Sequence, residues 1–280
     1  MSSPVPAGQA RRSAVAGQPG RLSGAVHAEW TKLRTLPGTS WLLAATIAAT
    51  AAASAAAAAA TSCLPDVACP ADITRLSLAG IDLGQAMVAL VGVLAVSSEY
   101  STGMIAATLT AVPRRPAVLA AKAIVVSGLA LAAGIIAVAG SLLAARLLLP
   151  ARGFTAARGY PPLSLADGPV LRAAAGSVLY LALIALLSLG VGTLVRDAAA
   201  AIGVVLGLLY LFPVIASVLT DPTWRRHLEQ IAPMTAGLDI QATTGLSNLP
   251  LSPWVGLGVL AAWAAAALLA GGLMLQLRDA

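Results

Sequence analysis

Few residues in this chain have the type and spacing that catalysis requires. His27 and His227 are the only histidines among 280 residues, and neither belongs to a His-Glu-x-x-His pair that would place two imidazoles on one helix face for zinc. Serines and aspartates are present, but no Gly-x-Ser-x-Gly elbow presents a nucleophile. The two lysines, Lys32 after Thr31 and Lys122 after Ala121, lack the preceding glycine of a phosphate-cradling Gly-Lys-Ser/Thr loop. The chain is therefore expected to bind no nucleotide, and any energy it uses must come from a partner or an ion gradient. Cys63 and Cys69, in a loop with Pro65 and Pro70, cannot fill a four-ligand zinc site by themselves. They either close a small disulfide loop on an oxidising side of a membrane or stay as free thiols. No metal site and no cofactor bound by this chain are expected.

The elements that must carry these residues are set by composition. Hydrophobic residues make up 59% of the chain and charged residues 10%, against roughly 25% charged in a soluble domain. The apolar residues fall in long blocks, several of them reaching the roughly 20 residues a span needs, which excludes a water-soluble fold. Each span must satisfy its own backbone hydrogen bonds in hydrocarbon, so the expected class is an all-α integral membrane protein. The formal charge of +6 sits in short clusters beside the apolar blocks, with no aromatic-rich basic stretch. It is assigned to membrane lipid headgroups and not to nucleic acid.

Six spans are expected, at about 41–60, 76–98, 117–149, 173–195, 198–220 and 254–277, together forming a transmembrane domain over 41–280. The first is built mainly of alanine, but roughly 40 residues precede it and its core is longer than that of a cleavable signal, so it reads as a retained helix. Asp82 is tolerated in the second span only near its outer end. Arg196 and Asp197 make a tight turn between the fourth and fifth spans, and Gly203 and Gly207 give the fifth a small-xxx-small step suited to ordinary packing. The centres of all six spans carry no charge, which argues against coupling to a proton gradient.

Ahead of the first span, residues 1–20 read as a disordered tail and 21–38 as an amphipathic helix lying in the interface. Leu22, Val26, Trp30 and Leu33 recur at helical spacing, with His27, Thr31 and Arg34 on the other side, and Pro37 with Gly38 is expected to end the helix. Glu29 breaks the pattern by falling among the apolar positions. It is either a surface carboxylate paired with Lys32 or a contact to a partner protein. Lysine and arginine counts favour both termini on the cytoplasmic side: the inner segments hold ten (Arg11, Arg12, Arg21, Lys32, Arg34, Arg114, Arg115, Lys122, Arg196, Arg278) and the outer segments seven.

The most informative stretch is SSEYSTGMIAATLTAVPRRPAVLAAK, from Ser97 to Lys122. Met104, Ile105, Leu109 and Val112 form one apolar face, and Pro113 and Pro116 force a break around Arg114 and Arg115 at the mouth of the third span. A short helix along the inner surface is expected. Headgroup anchoring would explain the arginines but not Glu99, Gly103 or the amphipathic segment.

This stretch resembles the cytoplasmic loop of ABC-2 type transporter permeases, the actinobacterial ones especially. Glu99, Thr102, Gly103, Leu109, Thr110, Pro113, Arg114, Arg115 and Lys122 match in order, and AEWTKLRTLPGTSW, 28–41, is similar to the segment that opens those proteins. The resemblance implies a permease subunit that pairs with a second permease, identical or not, and docks on a separate P-loop ATPase that binds ATP and Mg²⁺. Glu99, Tyr100, Thr102, Gly103, Leu109, Pro113, Arg114 and Arg115 would form the coupling element. The interfacial helix, with Glu29, Trp30, Lys32 and Arg34, would be a second contact. It also implies short re-entrant helices over 221–253, a bacterial cell-membrane location, and export of a cargo that the apolar spans suggest is hydrophobic or amphipathic. The outer loops are too short for the external domain of some sterol and drug exporters. Two other readings compete: a membrane anchor that assembles partners without moving a substrate, and an intramembrane enzyme, which the missing polar constellations disfavour.

Overall fold

The computed structural model describes residues 20–35, 37–63, 72–104 and 115–277. It is all-helical, with no strand among the described residues. Six helices are long and apolar enough to cross a membrane: α2 (Pro37–Ala60), α4 (Ile81–Ser101), α5 (Arg115–Leu148), α6 (Gly168–Val195), α7 (Ala198–Val218) and α10 (Pro253–Leu277). Shorter helices flank them: α1 (Gly20–Thr35), α3 (Ile73–Ser77), α8 (Pro222–Ile231) and α9 (Pro233–Leu238). The protein is an all-α, multi-pass membrane protein.

At the centre stands α6, packed against α10, α4 and α5, while α2 lies across α4 and α5. Without a hydrophobic drive between helices in lipid, such contacts depend on close backbone approach, and small residues supply it. A Cβ on Gly92 of α4 would come within 2.5 Å of the Ala185 carbonyl on α6, and one on Gly190 of α6 within 2.6 Å of Ala267 on α10. On α2 the buried residues are Thr46, Thr50, Ser54 and Ala58, one every four positions. This gives the alanine-rich span a small-residue seam.

The fourth span starts at Gly168, five residues before the expected 173, and three further differences bear on how the chain packs. Pro37 opens α2 and does not merely close α1, consistent with proline's preference for a first helical position. The second span begins at Ile81, because the chain first makes α3 and then turns through 78–80. Gly80 sits so close to α2 that a Cβ would meet the Thr50 carbonyl at 1.9 Å, and its N–H donates to Ser54 Oγ at 3.0 Å. That contact fixes the turn ahead of α4, which carries Asp82 in its first turn. The fifth span ends at Val218 and leads through Asp221, whose carboxylate accepts from Thr223 N, into α8. Between α6 and α7 the expected tight turn is present. Arg196 adopts φ 65° and closes α6, and Asp197 accepts from Ala200 N to open α7.

Two packing expectations are also revised. Gly203 and Gly207 meet no neighbour within 4 Å of where a Cβ would stand, so no described helix packs tightly on their small-residue step. Trp30 is 44% exposed on α1, whereas Ala25, Glu29 and Leu33 form the buried face.

Candidate functional site: an ionic knot at one end of the bundle

Helix α1 lies against the first part of α5, and its buried face brings Glu29 under the helix bundle. Glu29 is 5% exposed, Glu99 near the end of α4 is 3% exposed, and Lys122 on α5 is 2% exposed. The Lys122 ammonium donates to Glu29 Oε2 at 2.8 Å, to Glu99 Oε1 at 2.8 Å and to the Ala95 carbonyl at 3.1 Å. Lys32 closes the ring from the partly exposed side, donating to Glu29 Oε1 at 2.9 Å and Glu99 Oε1 at 2.8 Å. Burial alone would depress the Lys32 pKa, but the hydrogen bonds and charges of Glu99 and Glu29 outweigh it and hold the pKa above the usual lysine value. Two ammonium groups against two carboxylates leave the knot electrically neutral, the condition for burying charge at all.

The knot corrects the expectation for Glu29. It is not a surface carboxylate, and although it pairs with Lys32 as expected, its second oxygen serves Lys122. Lys122 does not snorkel to a headgroup, because its amine is spent about 10 Å along α5, at roughly 1.5 Å per residue. Glu99 faces inward to two lysines of its own chain. Helical periodicity places Glu29 on the apolar face, but only the fold reveals that Lys122, 93 residues on, is its partner.

The other candidate residues spread around this end. Arg196 stacks over the Tyr100 ring at 5.2 Å. Arg115, the first residue of α5, donates to the Leu275 carbonyl at 2.7 Å and Arg196 to the Met274 carbonyl at 3.3 Å, so two cations cap the carboxyl end of α10. Thr102 is exposed, its hydroxyl bonded to the Ser98 carbonyl at 2.7 Å, and Gly103 adopts φ +69° in open space. Trp30 and Arg34 are exposed. Leu109, Pro113 and Arg114, with most of the expected surface helix, lie outside the described residues. Cys63 is disulfide-bonded; Cys69, the only other cysteine in the chain, also lies outside them. No group of three metal-ligating side chains occurs among the described residues.

A second polar layer, which periodicity did not reveal, ties the opposite end together. Tyr180, buried in α6, donates its hydroxyl to Gln85 Oε1, and Gln85 Nε2 lies 3.2 Å from Met234 Sδ. Tyr210 of α7 donates to the Asp82 carbonyl. Asp72 caps α3 through Thr74 N and Arg75 N, both at 3.1 Å. It also takes hydrogen bonds from Thr243 N, from Thr243 Oγ1 at 2.7 Å and from Thr244 N at 3.0 Å. Burial would raise its pKa, but these bonds, led by those from Thr243, hold it below the usual carboxylate value. Asp239, just before the last span, is pushed up to about 6, chiefly by burial, with Arg75 opposing and Glu229 adding to the shift. The one sequence signal for this layer was Asp82 and Gln85 inside an apolar block.

Among the described residues, neither end brings a nucleophile, base and oxyanion donor into mutual reach. What the arrangement can do is mechanical: the knot clamps α1 to the two spans on either side of residues 102–114, and the opposite layer clamps α3, α4, α6 and the segment before α10. Compared with protein-family models and with curated proteins, the sequence matches none.

Proposed function

We propose that this chain is the permease subunit of an ABC exporter of the ABC-2 type, moved by a separate P-loop ATPase that binds the ATP and Mg²⁺. The observation that carries this reading is the ionic knot. It joins the interfacial helix to α4 and α5, the two spans at either end of the loop that resembles a coupling element. Force applied by a docked ATPase to α1 or to the loop then reaches both spans as one body. Arg115 and Arg196 extend the linkage to α10. The role of Glu99 is accordingly to hold the loop's root, while Thr102, Gly103, Arg114 and the rest of the loop meet the partner.

The knot end faces the cytoplasm of a bacterial cell, with both termini inside, in line with the lysine and arginine count. A second permease subunit packs on α7, where the Gly203–Gly207 step is open and few residues are enclosed by the rest of the chain. The cargo is hydrophobic or amphipathic; a cleft of about 420 Å³ between α6, α7 and α10, lined by Leu187, Leu208, Phe212 and Trp263 among others, is almost wholly apolar.

The test is co-purification from membranes in mild detergent, wild type against a variant with Arg114→Glu and Arg115→Glu. The expected result is a P-loop ATPase recovered with the wild type and lost or uncoupled in the variant. Absence of any ATPase from the wild-type preparation would leave the loop a topological anchor and favour a non-transporting assembly protein.

A further inference from the structure

At the end of α5 remote from the knot, Arg146 stands in an unusual setting. It lines a cavity of about 300 Å³ whose other walls are Ala139, Leu142, Leu143, Leu163, Ser164, Leu165 and Val170, formed between α5, the loop before α6 and the start of α6. It also borders a smaller recess under Leu149 and Phe154. Around it Leu143, Leu147, Leu165 and Leu171 are all more than half exposed. In a spanning helix that exposed surface meets acyl chains. Among the described residues, no ion pair or hydrogen bond engages the Arg146 side chain.

Charge along the segment that builds the groove is lopsided, although the end as a whole also carries Asp72, Asp82 and Asp239. Between 146 and 172 the sequence has four arginines, Arg146, Arg152, Arg158 and Arg172, against one acid, Asp167. Arg158 is occupied by the Cys63 carbonyl at 3.0 Å and Arg172 by the Ala242 carbonyl. Arg146 is the arginine of this segment that combines a groove position with no partner among the described residues. Ser164 Oγ accepts from Ala166 N at 3.2 Å and keeps its hydroxyl hydrogen free to donate into the same groove. A guanidinium at the rim of an apolar groove at the end of a span needs an anionic counter-group. A phosphate diester suits it through paired N–H donors, and apolar walls below suit a fatty chain.

We propose that Arg146 and the groove beneath it form a binding site for one anionic phospholipid, its phosphate on the Arg146 guanidinium with Ser164 beside it and an acyl chain along Ala139, Leu142, Leu143, Leu165 and Val170. This site depends on the chain lying in a membrane and stands whether or not an ATPase drives it. It would brace the end of α5 against the start of α6.

The test is native mass spectrometry of the full chain, delipidated and then exchanged into phosphatidylglycerol or phosphatidylcholine, with Arg146→Gln and the groove-filling Ala139→Trp as variants. The wild type should retain one phosphatidylglycerol, preferred over phosphatidylcholine by about tenfold, as expected for a charge-assisted contact. Arg146→Gln should abolish the preference. Ala139→Trp should remove the bound lipid although Arg146 remains, and inorganic phosphate should not displace it. Equal retention of the two lipids by the wild type, or an unchanged preference in Arg146→Gln, would overturn the proposal. So would displacement by phosphate alone, which would make the rim a simple anion site with no lipid seat.

Discussion

Replacing Lys122 with Met tests whether the ionic knot holds the inner end of the bundle. The amine is 2% exposed and makes three contacts of 3.1 Å or less. Its removal leaves Glu29 and Glu99, each nearly buried, to share the single charge of Lys32. Breaking a buried pair by deleting one partner costs about 3–5 kcal/mol, because the surviving charge is stranded. The double variant Lys122→Met with Glu99→Gln restores neutrality and leaves the Glu29–Lys32 pair in place. It should therefore be more stable than the single variant, with a coupling energy of at least about 1 kcal/mol. The assay is reversible denaturation in micelles at neutral pH, followed by a conformational probe on α1. A single variant within about 0.5 kcal/mol of wild type, the range of ordinary surface changes, would refute the reasoning. A double variant worse than the single one would refute it equally.

Other predictions concern the packing and the opposite polar layer. Gly92→Val should destabilise the chain by about 1–3 kcal/mol or more through overpacking, since its side chain would be driven into the Ala185 carbonyl; thermal unfolding reads this. Asp72→Ala removes a helix cap and the anchor of Thr243 and Thr244. It should cost about 2–4 kcal/mol and speed hydrogen exchange at 243–244. Because the Asp72 pKa is lowered by folding, its contribution is present above about pH 4 and lost as pH falls through the folded value. Asp239 behaves oppositely. Its folded pKa of about 6 exceeds the ordinary aspartate value of 3.8, so in that window the folded state binds more protons, and stability should rise as pH falls from above 6 towards 4. Asp239→Asn should flatten that part of the pH profile and raise stability at pH 7, as read by unfolding at a series of pH values.

The helical membrane class and all six spans were legible in the sequence, with each end within about five residues, because hydrocarbon imposes one length scale and one hydrogen-bonding solution. The second span was misplaced at its start because 76–98 is apolar throughout the turn. Only the contact of Gly80 with Thr50 and Ser54 breaks it, and that contact is tertiary. Glu29 was visible as an anomaly on an apolar face, but periodicity is blind to partners far along the chain, so Lys122 looked like a snorkelling residue. Tyr180 and Asp239 gave no warning, since a lone polar residue in or beside an apolar block acquires meaning only from what folds against it.

The most direct test addresses the role proposed for the knot, which is to carry motion from a docked ATPase to the far end of the spans. Hydrogen exchange should be measured on the wild-type complex in vesicles, with and without a non-hydrolysable ATP analogue. The account predicts that nucleotide changes exchange both in α1 and at 239–248, the segment before α10 at the opposite end. Identical exchange at 239–248 in the two conditions, with ATP analogue demonstrably bound to the partner, would contradict it.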